Sequence, residues 1–133
     1  MSDSTLALQA AVVAALGADV GVQALVAGRI YDRARADVAF PYVSVGPSQA
    51  EPWDTDDTTG WEVFLQLDVW SRERGGAVEC RQVMQAIHDA LHRAELTVTG
   101  HDFVLGRLDS ARTLDDPDGV TTHGVMRFRF VTD

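Results

Sequence analysis

Residues 61–71 read WEVFLQLDVWS, and their alternation predicts the central strand of a sheet. Side chains of a strand point to opposite faces in turn, so every second position shares a face. The first face is apolar throughout and is expected to be core; it carries Trp61, Val63, Leu65, Leu67 and Val69. The second face adds Phe64 and Trp70 to acids and an amide. That mixture is more apolar than a solvated face needs and is typical of a protein interface.

Downstream of this strand, the sequence predicts an amphipathic helix from Val78 to about Ala94, covering roughly residues 77–94. At 100° per residue, its apolar side chains fall within one sector of about 120°. They are Cys80, Val83, Met84, Ile87, Ala90, Leu91 and Ala94. We expect this sector to pack on the sheet. Residues 72–76 are predicted to turn the chain between strand and helix, and their Gly75-Gly76 pair is only a weak indication of a phosphate site.

The same helix contains HDALH at residues 88–92, which differs from the H-E-x-x-H zinc motif by an aspartate in place of the glutamate. His88 and His92 lie on the polar shoulder of the helix, where Arg81 would oppose the charge of a metal. An aspartate stands where metalloproteases use the longer glutamate, and there is no clear third ligand beyond Glu95, His101 or Asp102, which follow a turn. Two solvated histidines are therefore the favoured interpretation, and a zinc-dependent hydrolase using His88 and His92 is a remote alternative.

The first third of the chain predicts two helices and two short strands. Apolar spacing indicates a helix over residues 5–16 with Ser4 as its N-cap, followed by a shorter helix capped by Asp19. Residues 29–32 are predicted to form a short strand. Residues 42–45 alternate as in a sheet with one buried face.

Residues 47–60, PSQAEPWDTDDTTG, are polar, acidic and punctuated by proline, which predicts a long mobile loop that carries Trp53. Within this loop, Asp54, Asp56 and Thr58 copy the first three ligand positions of a calcium loop. A threonine replaces the required glycine, and a leucine stands in place of the closing glutamate. Calcium binding is therefore disfavoured.

The last third of the chain predicts a long hairpin, preceded by a short extended piece at residues 96–99. A strand over residues 102–114 leads into a DDPDG turn, whose proline and Asp-Gly pair explain its acids without a cation. In the final strand, residues 120–131, apolar side chains alternate with a basic side that includes Arg127 and Arg129. We expect these arginines to pair with acids of a neighbouring strand or subunit.

Together these elements predict an α+β fold formed as one domain over residues 1–133. The sheet is expected to be mainly antiparallel or mixed, with four to five strands. The helix at about 77–94 and the N-terminal helix should cover one face, and the long hairpin should lie at the C-terminus. A chain of 133 residues buries about two-thirds of its unfolded surface, so a second domain would not fit. The remaining sheet face is then available to another subunit.

The composition disfavours several classes of protein. Twenty acidic residues face eleven basic ones, all arginine, giving a net charge of −9 that disfavours binding to nucleic acid or an anionic membrane. The single cysteine, Cys80, excludes an internal disulfide and fits a buried apolar position. With no signal-like N-terminus and no long apolar run, the chain is expected to be soluble and cytoplasmic at synthesis. No phosphate loop or nucleophile motif points to an enzyme or a cofactor.

The order and spacing of five segments resemble one family over nearly the whole chain. The segments are LALQAAVVAAL, VQALVAGRIYD, FPYVSVG, LQLDVWSRERGGAVECRQVMQAIHDAL and DDPDGVTTHGVMRFRF. The family is that of the tail-terminator, or tail-completion, proteins of long-tailed phages and of phage-derived gene transfer agents. It has no catalytic signature, so the resemblance implies a structural protein and not an enzyme.

The resemblance implies a hexameric ring that sits on the last ring of the tail tube and stops its growth. The tail-tube protein would then be one partner, and a head-tail connector or stopper protein the other, within the assembled particle. An acidic lumen would let DNA pass as cargo without binding it, because like charges repel. A head-tail stopper or a minor tube-associated protein is the alternative, since either would share this composition and differ in its docking partners.

Six residues are predicted to make contacts in such an assembly. They are large, charged or bidentate groups at positions that the monomer fold does not obviously need. The candidate interface residues are Trp53, Asp54, Phe64, Trp70, Arg127 and Arg129.

Overall fold

The computed structural model describes residues 3–54, 56, 59–72 and 77–133, which form three helices and five strands. The predicted Gly75-Gly76 turn and Thr58 lie outside the described residues. In chain order the elements are α1 (Thr5–Ala18), α2 (Val20–Val26), β1 (Ile30–Tyr31), β2 (Tyr42–Pro52), β3 (Trp61–Ser71), α3 (Val78–Leu91), β4 (Phe103–Asp115) and β5 (Thr122–Thr132).

The five strands form one mixed sheet in the order β1-β2-β3-β5-β4. Only the short β1 pairs in parallel with its neighbour, while all other neighbours are antiparallel. The long β4–β5 hairpin places β5 beside β3 and leaves β4 at the edge. This arrangement confirms the predicted α+β class with a mixed sheet and a C-terminal hairpin.

The core lies between the sheet and the helices. Helix α3 buries Cys80, Val83, Met84, Ile87 and Leu91, which is the apolar sector that the sequence predicts. Helix α1 buries Leu8, Val12 and Leu16, spaced one turn apart, and its other positions are largely small alanines. On the sheet, the alternating side of β3 and the Met126, Phe128 and Phe130 side of β5 close the core. Full burial of each large side chain contributes about 1.5–3 kcal/mol.

Three boundaries differ from the sequence-based expectation. Strand β2 continues to Pro52, so the loop predicted at residues 47–60 is wrong over its first six residues. A bulge between Val45 and Ser48 carries Gly46 and Pro47 out of the ladder, which lets pairing resume beyond them. Helix α3 ends at Leu91 and not near Ala94. Residues 96–99 are not assigned to a strand, although Leu96 and Val98 are buried.

The two predicted helix caps have different outcomes. Asp19 caps α2 as predicted, because its Oδ2 accepts the backbone N–H of Val22 at 2.9 Å. Ser4 occupies the N-cap position of α1 but makes no side-chain cap bond, so that expectation is wrong. Its hydroxyl is buried and accepts a hydrogen bond from Thr132 Oγ1 at 2.8 Å, while Asp3 accepts the N–H of Thr5. Ser4 therefore ties the start of the chain to the last strand.

Among the described residues, no single helix is long and apolar enough to cross a membrane; α1 and α2 reach that length only as a pair bent by 82°.

Candidate interface on the open sheet face

The face of the sheet opposite the helices, called the outer face here, carries the even-numbered side chains of β3. Strand register places residues of neighbouring strands side by side in rows across this face. One row reads Gln49, Phe64, Arg129 and Arg107 from β2 to β4. A second row reads Tyr42, Trp70, His123 and Leu114. Four of the six candidate residues are therefore on one face; Trp53 and Asp54 directly follow β2.

Arg129 forms an ion pair that is largely shielded from solvent. Its Nε donates to Glu62 Oε2 at 2.6 Å, and both side chains are only 15% exposed. The same guanidinium lies 5.3 Å from the centre of the Trp53 ring, a distance compatible with a cation–π contact. The expectation that Arg129 pairs with an acid of a neighbouring strand is met, because Glu62 lies on β3. Removing either partner would leave the other charge without compensation.

Two hydrogen bonds connect the residues that follow β2 to Gly60, the residue before β3. Trp53 N–H donates to the carbonyl of Gly60 at 2.8 Å, and Gly60 N–H donates to Asp54 Oδ1 at 3.3 Å. Gly60 is needed for this closure, since a Cβ there would lie 2.6 Å from the Thr132 carbonyl oxygen. Trp53 keeps 45% of its surface exposed despite its contact with Arg129. A residue expected on a free loop is thus held at the rim of the outer face.

Arg127 covers Phe64 at the centre of the outer face. Its guanidinium lies 4.1 Å from the centre of the Phe64 ring, and its Nε lies 3.7 Å from Asp109 Oδ2. Both partners of this second ion pair are well exposed, so it contributes little to stability. Beside it lies an open cavity of about 160 Å³ whose walls are Pro47, Ser48, Gln49, Phe64, Gln66 and Arg127. Pro47 and Ser48 of this lining lie at the bulge in β2.

Trp70 is part of a hydrogen-bonded stack that the sequence does not reveal. Its ring stacks on His123 with centroids 3.8 Å apart and 10° between the planes, and its Nε1 donates to Ser44 Oγ at 3.0 Å. His123 Nε2 lies 2.7 Å from Asp68 Oδ1, and Asp68 is buried. The periodicity of β3 and β5 puts these residues on one face. Only the register between the two strands brings them together, and no pattern within either strand specifies it.

Beyond this stack, the outer face ends in an aromatic corner. Tyr42 lies 6.3 Å from Trp70 and 5.1 Å from Phe40, measured between ring centres. The guanidinium of Arg72 lies 4.3 Å from the centre of the Phe40 ring, while its Nε donates to Thr121 Oγ1 at 2.9 Å. Burial raises the pKa of Tyr42, and the positive charge of Arg72 opposes that rise. These contacts connect three aromatic rings, Arg72 and Thr121 at one end of the face.

The two histidines of the HDALH motif stack on each other, and His92 is hydrogen-bonded to strand β4. His92 Nδ1 accepts the backbone N–H of Leu108 at 3.0 Å, which requires an unprotonated Nδ1. The His88 ring stacks on His92 at 4.6 Å, and its Nδ1 lies 3.2 Å from Asp89 Oδ1. Burial lowers the pKa of His92, and the neighbouring charges of His88, Arg93 and Arg107 lower it further. The expectation of two freely solvated histidines is therefore wrong for His92.

The metal alternatives receive no support from the geometry of the described residues. In that part of the chain, no three His, Cys, Asp or Glu side chains are grouped closely enough to hold a metal ion. The His92 nitrogen that accepts from β4 is not available to a metal in this arrangement. Cys80 is buried as expected, and burial raises the pKa of its thiol to about 11, so it is a neutral, unreactive group.

Comparison with known proteins gives consistent matches over most of the chain. Residues 10–133 match the family model described as tail completion protein gp17. A relative named tail completion protein gp17, from Bacillus phage SPP1, is 31% identical over 96 residues, which are 71% of this chain and 69% of the relative. A chain from the virion of a native gene transfer agent particle has a TM-score of 0.86 and 26% identity, covering 94% of this chain and 93% of that chain. The structure of bacteriophage SPP1 gp17 protein has a TM-score of 0.66 and 27% identity, covering 94% and 88%.

Proposed function

Because this chain belongs to the family of tail completion protein gp17, and is thus a structural protein of a phage or gene transfer agent tail, we propose that it caps the tail tube as a ring. The ring contains six subunits, stops the polymerisation of the tube, and joins the tail to the head connector or stopper protein. DNA passes through its lumen as cargo. The tail-tube protein is the partner on the opposite side.

The likeness to a chain from an assembled gene transfer agent virion carries this proposal. That likeness extends over 94% of this chain with a TM-score of 0.86, so it includes the sheet, the helices and the hairpin. A subunit of such a particle must present more than one contact surface, because it meets copies of itself as well as other proteins. The outer face is one surface of this kind, since no described helix covers it.

The proposed contacts on the outer face are held in place before any partner arrives. Arg127 is fixed by Phe64 and Asp109, and Arg129 by Glu62 and Trp53. Groups that are already ordered lose little conformational entropy on binding, which favours affinity. Trp53, Asp54, Phe64 and Arg127 keep accessible surface and would touch a neighbouring subunit or the tube. Arg129 and Trp70 would act mainly by holding these neighbours in position.

The charge of the chain fits a passage for DNA. A net charge of −9 on each subunit gives an assembled ring a strongly negative field. Basic side chains that could neutralise phosphates are outnumbered by twenty to eleven. Under this proposal the duplex slides past the subunits, because a surface that releases no counterions from DNA gains no binding free energy.

Electron microscopy of the purified protein, alone and mixed with purified tail tubes, tests the proposed ring. We expect annular particles of six subunits, either free or located at one end of each tube. Tubes that continue to lengthen in the presence of the protein, with no ring at their ends, would contradict the proposal. The stopper alternative predicts co-purification with the connector and not with the tail-tube protein, so both pull-down experiments belong to the same test.

A further inference from the structure

An apolar groove of about 380 Å³ lies between α1 and residues 97–99, on the helix side of the sheet. Its walls include Leu6, Ala10 and Ala14 of α1, with Thr97 and Thr99 opposite. Leu6 is 79% exposed. Residues 4–18 contain no charged side chain, whereas the water-facing side of a helix is normally charged or polar. An exposed apolar depression of this kind marks a site of protein contact.

Trp53 is a side chain that fits such a groove. Of the aromatic side chains in the described residues, only this one is exposed. Its N–H donates to the Gly60 carbonyl, and Arg129 of the outer face lies beside its ring. An apolar cavity of about 150 Å³ already holds benzene, so the α1 groove has room for an indole. Burying a tryptophan removes about 150–250 Å² from water, a substantial part of the roughly 800 Å² that each partner buries in a stable interface.

The groove and Trp53 lie at the same end of the sheet, on opposite faces. Ser4, at the start of α1, is hydrogen-bonded to Thr132 at the end of β5. Gly60 accepts the N–H of Trp53, and the next residue, Trp61, pairs with Thr132. Rotation about a ring axis leaves the height of every residue along that axis unchanged. In a ring whose axis follows the strands, neighbours therefore meet through surfaces of equal height on opposite sides of the subunit, and these two surfaces meet that condition.

We infer that Trp53 of one copy inserts into the α1 groove of the next copy. This inference rests on the proposed ring and names one contact between its subunits. Because the two surfaces differ, the contact is heterologous, and a heterologous contact closes into a ring when its rotation allows.

A second copy is the favoured occupant of the groove for two reasons. One chain supplies both the groove and an exposed side chain that fits it. Copies with a net charge of −9 repel each other, so they approach most easily where charge is absent or compensated. The α1 helix is uncharged, and the charges beside Trp53, on Arg129 and Glu62, compensate each other.

Two variants remove this contact from opposite sides. Trp53→Ala deletes the inserted side chain, and Ala10→Trp fills the groove of its own chain. Each should raise the protein concentration needed for ring formation at least about tenfold, because truncation of a central tryptophan is among the costliest changes at protein interfaces. Both positions are exposed, so thermal unfolding below the concentration of ring formation should stay close to that of the unaltered protein.

The matched controls make the same kinds of change at the opposite end of the sheet. Val120→Ala removes an exposed apolar side chain from the hairpin turn. Ala39→Trp adds an indole at an exposed alanine before β2. Both controls should form rings at the normal concentration.

A mixture of the two defective variants identifies the contact directly. The Trp53→Ala chain keeps an intact groove, and the Ala10→Trp chain keeps Trp53. One chain of each kind can therefore form a single joint, while the surfaces left free on that pair are both defective. By sedimentation velocity, we expect one-to-one dimers and no rings in the equimolar mixture, at concentrations where neither variant alone is dimeric.

The outcomes separate this inference from the proposed function. If the unaltered protein forms rings and both variants form them at the normal concentration, or if the mixture contains only monomers, the Trp53 contact is wrong and the ring remains. Variants that form rings but no longer bind tail tubes would show that the groove receives the tube protein and not a second copy. If the unaltered protein forms no ring, alone or on tail tubes, both are overturned.

Discussion

At the scale of single residues, the two arginines of β5, Arg127 and Arg129, look alike in sequence and differ in environment. The ion pair between Arg129 Nε and Glu62 Oε2, 2.6 Å apart, is largely shielded from solvent. The ion pair between Arg127 Nε and Asp109 Oδ2, 3.7 Å apart, is exposed. We predict that Arg129→Ala lowers the free energy of unfolding by about 2–4 kcal/mol, because Glu62 loses its counter-charge in a shielded position. Arg127→Ala should cost less than about 1 kcal/mol. Urea denaturation of both variants measures this, and equal losses would contradict the difference in shielding.

His92 should make the stability of the folded protein depend on pH. Its pKa in the folded protein lies below the ordinary value of 6.5, through burial first and then the charges of His88 and nearby arginines. As pH falls through about 6.5, the unfolded chain therefore takes up a proton before the folded protein does. The contribution of His92 to the free energy of unfolding is therefore complete above pH 6.5. It decreases as the pH falls from 6.5 to the lower pKa that His92 has in the folded protein. Protonation of Nδ1 would also remove the acceptor of the Leu108 N–H.

The test of His92 uses a side chain that accepts a hydrogen bond without titrating. In His92→Asn the amide oxygen can take the place of Nδ1, and we predict a melting temperature that falls less between pH 7 and pH 5 than that of the unaltered protein. His92→Ala should be less stable already at pH 7, because the partly buried N–H of Leu108 loses its acceptor. Identical pH profiles for the unaltered protein and His92→Asn would show that another group controls the acid range.

At the scale of elements, alternation and helical spacing predict which face is buried but not where elements end or meet. The core side of β3 and the apolar sector of α3 follow from periods of 2.0 and 3.6 residues, which packing then enforces. The bulge in β2 cannot be predicted from these periods, because the Gly46-Pro47 pair is as typical of a loop as of a bulge. The Trp70–His123 contact cannot be predicted from these periods either, since the register between β3 and β5 depends on the whole sheet.

Two glycines in different elements should respond in opposite ways to an added methyl group. In β4, a Cβ on Gly106 would lie 2.6 Å from Cδ1 of Phe130, a fully buried ring, and we predict that Gly106→Ala costs about 1–3 kcal/mol. In α1, a Cβ on Gly17 would meet nothing within 4 Å, and Gly17→Ala should stabilise by about 0.5 kcal/mol. Thermal unfolding of the two variants, and of the double variant, measures both effects. Destabilisation by Gly17→Ala would contradict the open environment of α1.

At the scale of the whole molecule, the order of segments predicts more than any single site does. No residue in this chain identifies its role through chemistry, yet the resemblance to tail-completion proteins is confirmed by the match over residues 10–133 and by the relative from phage SPP1. The proposed contact residues cannot be predicted in this way, because contacts between subunits depend on the surfaces of other chains. Trp53 illustrates this, since its indole contacts Arg129 of the same chain and still keeps 45% of its surface exposed.

The net charge of the molecule also predicts that it does not bind DNA. Arg107 and Arg112 of β4 lie on the outer face of an acidic chain of net charge −9. Two phosphate contacts would account for a salt slope of only about −1.8 in log K against log[salt], far below that of proteins that bind DNA firmly. We therefore predict no change in the fluorescence anisotropy of a labelled 30-base-pair duplex with protein at tens of micromolar and low salt. Arg107→Glu with Arg112→Glu should behave identically. Binding by the unaltered protein that this variant abolishes would mean that the β4 arginines engage phosphates, and would count against a repelling lumen.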